Sequence, residues 1–242
     1  GTDKMLKLTA SIKDCACCGA YTVGGGWLNF MCYNLGADPV LATPATQQAA
    51  APTNVWTNSD GVTTLQVYGN YYQWGNNLAL SATAATENNW SSTAITTAGS
   101  PGYFNSSYNN VWGDGGAKGV NDPCPSGWRV PSTTQWQSIA NGNTTVFSLN
   151  TTGVVTTPST NKWTWKETTT KGVQIGDFLF LPAAGYRYSV STVYNHGTDG
   201  LYWSRTPNGT QAYSLSFFSN GVYPAGSVPR NYGFSVRCVV DN

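Results

Sequence analysis

The sequence predicts an α+β domain with long inserted loops. Three observations lead there. Residues 201–239 carry short segments that alternate apolar and polar side chains with a period of two, and one stretch near residue 132 has the marks of a helix start. Two long stretches rich in Asn, Thr, Ser and Gly show no period at all.

Residues 1–26 read as a leader strand plus a cysteine cluster, with Gly24-Gly25-Gly26 as a flexible break, and residues 27–242 as the main domain. Trp27-Leu28-Asn29-Phe30-Met31-Cys32-Tyr33 mixes large apolar and other residues in the manner of a strand. Residues 37–67, rich in Ala, Pro, Thr and Gln without a clear period, read as loop. Gln66-Val67-Tyr68 and Tyr71-Tyr72-Gln73-Trp74-Gly75 suggest a short strand and turn, and residues 76–118 a long irregular stretch. A loop of that length inside a compact domain is usually functional, or conceals an element. In Ser132-Thr133-Thr134-Gln135 the serine hydroxyl can accept from the backbone N–H three residues on, while Gln135 reaches back, as in a capping box. Trp136, Ile139 and Ala140 then form one apolar stripe, and Asn141-Gly142 ends the helix. Residues 143–171 suggest hairpins or a polar excursion. Phe178-Leu179-Phe180-Leu181-Pro182 reads as a buried strand, followed by Gly185-Tyr186-Arg187-Tyr188 and a loop to Gly200. In Ala212-Tyr213-Ser214-Leu215-Ser216-Phe217 the residues Tyr213, Leu215 and Phe217 share one face, and Phe234, Val236 and Cys238 share one face of the last strand.

The charge pattern excludes several functions. Of 242 residues, 12 are Lys or Arg and 11 Asp or Glu, a net charge of +1, so a phosphate-backbone binder is not expected. No apolar stretch approaches the roughly 20 residues needed to cross a bilayer, so no direct membrane insertion is expected. No signal peptide is visible, and the opening Gly1-Thr2-Asp3-Lys4 reads as a trimmed start that leaves room for a lost leader. Charged residues make up 10% of the chain, against about 25% in ordinary soluble domains. Neutral polar groups and aromatics must therefore cover the surface. Tyr, Ser, Gly and Asn are the residues of binding loops, and they equally suit a neutral secreted protein with no such purpose. The expected location is extracellular, at a cell surface or on a virion.

Cys15, Cys17 and Cys18 form a cluster with Cys32 nearby. Local disulfides, a metal site and free thiols all remain open for it. Cys124 and Cys238 are far apart, and their pairing is not readable from spacing.

Four blocks together carry a resemblance. They are Met31-Cys32-Tyr33-Asn34-Leu35-Gly36, then Tyr72-Gln73-Trp74-Gly75, then Asp122-Pro123-Cys124-Pro125-Ser126-Gly127-Trp128-Arg129-Val130-Pro131 running on to Trp136. The fourth comprises Leu181-Pro182-Ala183-Ala184-Gly185-Tyr186-Arg187, Tyr202-Trp203-Ser204 and Gly233-Phe234-Ser235-Val236-Arg237-Cys238-Val239. Their order and spacing over about residues 27–240 resemble the Fibrobacter succinogenes major paralogous domain, found in secreted and surface proteins of gut Bacteroidetes. That resemblance implies a C-type lectin-like fold of the formylglycine-generating-enzyme branch. The C-terminal region is similar to variable proteins diversified by retroelements, in which a fixed frame displays altered residues on one exposed face. Tyr202-Trp203-Ser204, Ala212, Leu215, Phe217, Val222 and the Gly233–Cys238 block resemble such a frame, over an expected variable region of about residues 200–240.

The expected function is non-catalytic recognition of a protein or glycan ligand. The contact residues expected are Tyr194, His196, Ser204, Arg205, Asn208, Ser214, Ser216, Phe218, Asn220, Tyr223, Arg230, Asn231 and Tyr232. An undiversified adhesin or fimbria-associated structural subunit is the alternative reading, and a formylglycine-generating-type oxidase a third. The oxidase needs a late pair of reactive cysteines, and the late region offers Cys238 alone. His196, the single histidine, has Asp199 near it but no G-x-S-x-G elbow, so a ligand contact suits it better than a general base. Thr206-Pro207-Asn208 lacks the acidic residue of calcium-dependent sugar sites, and carboxylates are sparse. No metal, cofactor or nucleic acid is expected. Trp27, Trp74, Trp128, Trp136 and Trp203 are expected in the core.

Overall fold

Val, Thr, Trp and Tyr fill the short apolar segments, and such residues favour a pleated, half-buried backbone. The computed structural model describes residues 18–57, 61–83, 90, 110–155, 161–189 and 192–241. Residues 1–17 of the leader strand and cysteine cluster expected over 1–26, with Cys15 and Cys17, lie outside them, as does much of the irregular stretch 76–118. β1 (Gly19–Tyr21) and β2 (Trp27–Asn29) form an N-terminal hairpin that spans the boundary expected at residue 26. After α1 (Pro44–Ala49), β3 (Val55–Thr57) pairs with β4 (Thr63–Leu65). β5 (Tyr71–Gln73) and β6 (Trp128–Arg129) precede α2 (Thr133–Ile139). Next come β7 (Phe147–Ser148), β8 (Val154–Val155), β9 (Lys162–Lys166), β10 (Gly172–Ile175) and β11 (Leu179–Pro182), the last four forming one antiparallel sheet. The C-terminal part adds β12 (Tyr186–Ser189), β13 (Thr192–Tyr194), β14 (Gly200–Asn208), β15 (Gln211–Phe218), β16 (Gly221–Pro229), β17 (Gly233–Ser235) and β18 (Val239–Val240). An eight-stranded sheet runs β13-β12-β17-β14-β15-β16-β7, with β5 also paired to β17, and β18 pairs with β6.

This corrects the fold class. The chain is dominantly β, with 40% strand against 7% helix, and an α+β C-type lectin-like architecture is not what it forms. The physical reason is that, among the described residues, neither helix grows past two turns. The expected capping box is present, with Ser132 Oγ accepting from Gln135 N at 3.1 Å and Gln135 Oε1 accepting from Ser132 N at 2.8 Å. Yet α2 has seven residues and stops ahead of Gly142, whose φ of +76° no helix continues. The polar stretch that follows builds β7, β8 and β9 rather than further helix.

The expected apolar stripe of α2 holds: Trp136, Ile139 and Ala140 are fully buried, and Trp136 stacks on Phe30 at 5.2 Å. Trp74 and Trp203 are fully buried too, whereas Trp27 and Trp128 are half-buried. Both faces of β15 are covered from Ser214 to Phe217, so this strand is interior rather than half-solvated.

A low-charge chain with irregular segments must still satisfy its backbone carbonyls. All five arginines do that work. Arg129 donates to Gly113 O (2.9 Å) and Gly116 O (2.6 Å), and Arg205 to the same two carbonyls. Arg187 donates to Ser81 O, and Arg230 to Gln211 O and Gly209 O. Arg237 donates to Met31 O, Cys32 O and twice to Asn34 Oδ1. Asp122 is the acidic counterpart, accepting from Lys118 and from the backbone of Cys124 and Val130. Two disulfides, Cys18–Cys32 and Cys124–Cys238, close the frame.

Candidate functional site

Tyr-Arg-Tyr at 186–188 places its tyrosines on one face of β12 and its arginine on the other, because side chains alternate along a strand. Arg187 is buried. Tyr186 lies opposite Tyr194 on the edge strand β13, and β12 pairs with β17 through Arg187 and Gly233. Tyr232 enters from the turn before β17. Four rings therefore meet at the sheet edge. Tyr188 stacks on Tyr194 at 4.3 Å and Tyr186 on Tyr232 at 6.1 Å, while Tyr188–Tyr232 and Tyr186–Tyr194 stand 6.1 and 5.9 Å apart. Each such pair contributes about 0.5–1.5 kcal/mol beyond its buried area. The platform is anchored inward, since Tyr186 and Tyr232 both contact Phe234, which stacks on the buried Trp203 at 4.3 Å. Outward it stays open: Tyr188 is 46% exposed.

Two of the phenols are pushed up. The hydrogen bond with Tyr194 raises Tyr188 above the ordinary phenol range, and burial raises Tyr186, helped by the nearby Asp199 carboxylate. The result is an uncharged face with apolar ring surfaces and hydroxyl edges. Behind it, the loop with His196 is fixed by backbone geometry. Asn195 adopts φ +55°, Gly185 donates to Asp199 O at 2.7 Å, and Gly197 donates to Ala183 O at 2.6 Å. A Cβ on Gly185 would stand 2.1 Å from Tyr194 O, so glycine is required where the loop crosses the platform strand.

The residues expected as one contact face divide into groups. Tyr194, Tyr232 and Asn231 lie at or beside the platform, and His196 is exposed near Tyr68, with ring centroids 6.1 Å apart. Asn208 is exposed at the β14–β15 turn, where it donates to Ser227 Oγ at 2.9 Å. Phe218, Asn220 and Tyr223 lie at the other end of β15, the two rings meeting edge-on at 5.5 Å. Arg205 is half-buried, bound to the Gly113–Gly116 loop.

Four expected contact residues are corrected, because they face inward. Ser204 is buried and its hydroxyl pairs with that of Thr133 at 2.8 Å. Ser214 and Ser216 are buried and bond each other at 3.1 Å. Arg230 is buried with its guanidinium 4.1 Å over the Trp74 ring. Each polar group found a partner inside, so burial costs little. Conversely, Tyr186 and Tyr188 were not among the expected contacts, although their spacing by two residues beside a predicted strand was a usable signal.

The model of the family described as the Fibrobacter succinogenes major domain matches residues 27–240. The chain belongs to that family. Comparisons with curated proteins and with solved structures return no match. In this Fibrobacter succinogenes major domain the recognised blocks form the frame: Trp74, Trp136, Trp203, Phe234, Val236 and Cys238 are buried, and Arg129 and Arg237 clamp loops. The platform stands on that frame through Tyr186 and Phe234.

The domain also has a cleft of about 560 Å³ bounded by the segment after β2, the β3–β4 pair and the loop after β5. Its described lining carries no Asp, Glu, Lys, Arg, His or Cys. Among the described residues, no group of three or more His, Cys, Asp or Glu side chains gathers as a metal would need. No described helix is long and apolar enough to cross a membrane. The two disulfides suit an oxidising, extracellular setting.

Proposed function

We propose that this domain is a non-catalytic recognition module whose tyrosine platform docks a protein or glycan ligand at a cell surface or on a virion. The observation that carries the reading is the set of four tyrosines in ring contact at a sheet edge, stacked in two pairs, open outward and anchored on the core through Phe234. Tyrosine offers large amphipathic contact at small entropic cost, and rings already stacked lose little freedom on binding. Exposed aromatics at the centre of a patch are the usual energetic anchors of an interface. Cys238, the single late cysteine, is bonded to Cys124, which weighs against the oxidase reading.

Display of diversified residues by a retroelement is a narrower version of the same proposal. The buried frame at Trp203, Ala212, Leu215, Phe217 and Val222 supports it, and the burial of Ser204, Ser214, Ser216 and Arg230 removes those four from the displayed set. In the neighbouring DNA this version expects a near-copy of the segment, differing mainly at adenines, beside a reverse transcriptase.

An array of immobilised host-type and microbial glycans, together with intact bacterial cells, is the test of recognition. The reading expects saturable binding that a Tyr188→Ser/Tyr194→Ser variant loses. Binding that survives this double change places recognition elsewhere.

A further inference from the structure

We infer that the outer face of the β9–β10 pair carries a second ligand site, which takes a disaccharide-sized sugar bearing a carboxylate, independently of the tyrosine platform. Two adjoining grooves of about 190 and 330 Å³ meet there and share Lys162, Gly176 and Asp177. Taken as one, they fall within the range of ligand clefts, about 300–1,000 Å³. One end is aromatic. Trp27 meets Tyr21 edge-on at 5.0 Å and Phe178 edge-on at 5.6 Å. The indole is fixed by a hydrogen bond from Nε1 to Asn29 Oδ1 at 2.7 Å, and it lies so close to Gly19 that a Cβ there would stand 2.7 Å from its Cε2. Tyr21 and Phe178 remain 47% and 48% exposed.

The other end is charged. Strand alternation puts Lys162 and Lys166 on one side of β9 and sends Trp163 and Trp165 into the core. Among the described residues, Lys118 and Lys171 are bound to Asp122 and Glu167, whereas Lys162 and Lys166 form no ion pair. Residues 156–160, next in sequence, are Thr, Thr, Pro, Ser and Thr and bring no carboxylate. Lys162 and Asp177 are exposed and Lys166 half-buried, so a ligand in the grooves reaches all three. The wall beside them is held in place. Asn150 Oδ1 accepts from Thr152 N at 3.0 Å, Thr152 Oγ1 at 2.9 Å and Gly153 N at 2.7 Å. Gly153 leaves room for the lysine stem, since a Cβ there would collide with Lys162 Cε. The two lysines stand about 13 Å apart along the strand, with Asp177 beside the first. A carboxylate pairs with a lysine, and Asp177 accepts from hydroxyls, which donate and accept at once. The C–H face of a sugar ring then lies on Trp27 and Phe178. Asp177 disfavours a polyanion, and a neutral sugar leaves the lysines without a counter-charge. The edge-on rings offer no parallel slot for a flat base.

The test titrates the intact chain with cellobiouronic acid and sialyllactose, and with their uncharged counterparts cellobiose and lactose, by calorimetry and ligand-observed NMR. The inference expects at least one acidic sugar to saturate, and to bind at least about threefold more tightly than its uncharged counterpart, the effect of one exposed ion pair. Lys162→Gln/Lys166→Gln abolishes that preference. Phe178→Ser, at an exposed position, weakens the acidic sugar by about tenfold or more, the loss typical of an anchor residue. Tyr188→Ser leaves it unchanged. No saturation by either acidic sugar up to about 10 mM, beyond the weak end of useful affinity, overturns the inference. So does equal affinity for acidic and uncharged sugars, or a preference that survives the double lysine change. Binding lost in Tyr188→Ser but kept in Phe178→Ser overturns it by placing the sugar on the platform. Saturation by AMP or by N-acetylglutamyltyrosinamide, with none by the sugars, overturns it in favour of a nucleotide or an acidic peptide. The platform reading stands or falls on its own variants, so the two failures are distinguishable.

Discussion

Replacing Cys124 and Cys238 together by alanine opens a covalent loop of sequence separation 114, whereas replacing Cys18 and Cys32 opens one of 14. The closure entropy that a cross-link removes from the unfolded chain grows with the logarithm of loop length. Applied to these separations it gives about 4.8 kcal/mol for the long loop and about 3.0 kcal/mol for the short one, a difference of about 1.9 kcal/mol. Packing adds in the same direction: Cys124 and Cys238 are both buried in the core with Trp203 and Phe234, whereas Cys32 is only half-buried. The long bridge also ties the loop before β6 to the segment that follows β17, so its removal loosens the frame on which the platform rests. Urea denaturation followed by tryptophan fluorescence reads the two losses, each with its own slope, because an unfolded chain freed of a cross-link expands and exposes more surface. Equal losses, or a larger loss for the Cys18–Cys32 pair, would refute the reasoning.

Other consequences follow from the buried polar groups. Arg237→Met removes the donors to Met31 O and Asn34 Oδ1 and lowers stability by about 3–5 kcal/mol in chemical denaturation. Arg237→Lys recovers only part of this, because an ammonium lacks the planar fork. Ser214→Tyr, at a buried position, costs about 1–3 kcal/mol by overpacking, while Asn220→Tyr stays within about 0.5 kcal/mol, both read as shifts in Tm. Burial raises the phenol of Tyr68 to about 12 and also raises those of Tyr71 and Tyr202. In the unfolded chain these phenols lose their protons near pH 10 while the native ones keep theirs. Their contribution is complete below about pH 10 and is lost as pH rises through about 10 to 12, so the urea midpoint falls over that range.

Much of the frame was readable because local chemistry decided it. Ser132 and Gln135 specify a helix start wherever they meet that spacing, and the blocks around Trp74, Trp128 and Gly233 are specific enough to name the family. α1 escaped notice because Thr43 caps it through Thr46 rather than through Glu or Gln, and it buries only Gln47 instead of an apolar stripe. The four inward-facing residues were misplaced for a different reason. Alternation along β15 implies one wet face only if the sheet is open there, and the packing that covers Ser214 and Ser216 comes from elsewhere in the chain. Arg230 looks like a surface residue by type. Its place over Trp74 depends on a contact between residues 156 apart in sequence, which no local pattern encodes. The Cys124–Cys238 pairing is non-local in the same way, and the platform joins Tyr186 to Tyr232 across a strand order that the sequence does not reveal.

The most direct measurement is the affinity of the wild-type chain and of Tyr188→Ser/Tyr194→Ser for the same ligand from the glycan and cell panel, with Tm measured alongside. The account predicts at least about a tenfold loss of affinity, measured at a temperature where both proteins are folded, with Tm lowered because the ring contacts of Tyr188 and Tyr194 are lost with them. Equal affinity for the two proteins, with both folded, would contradict it.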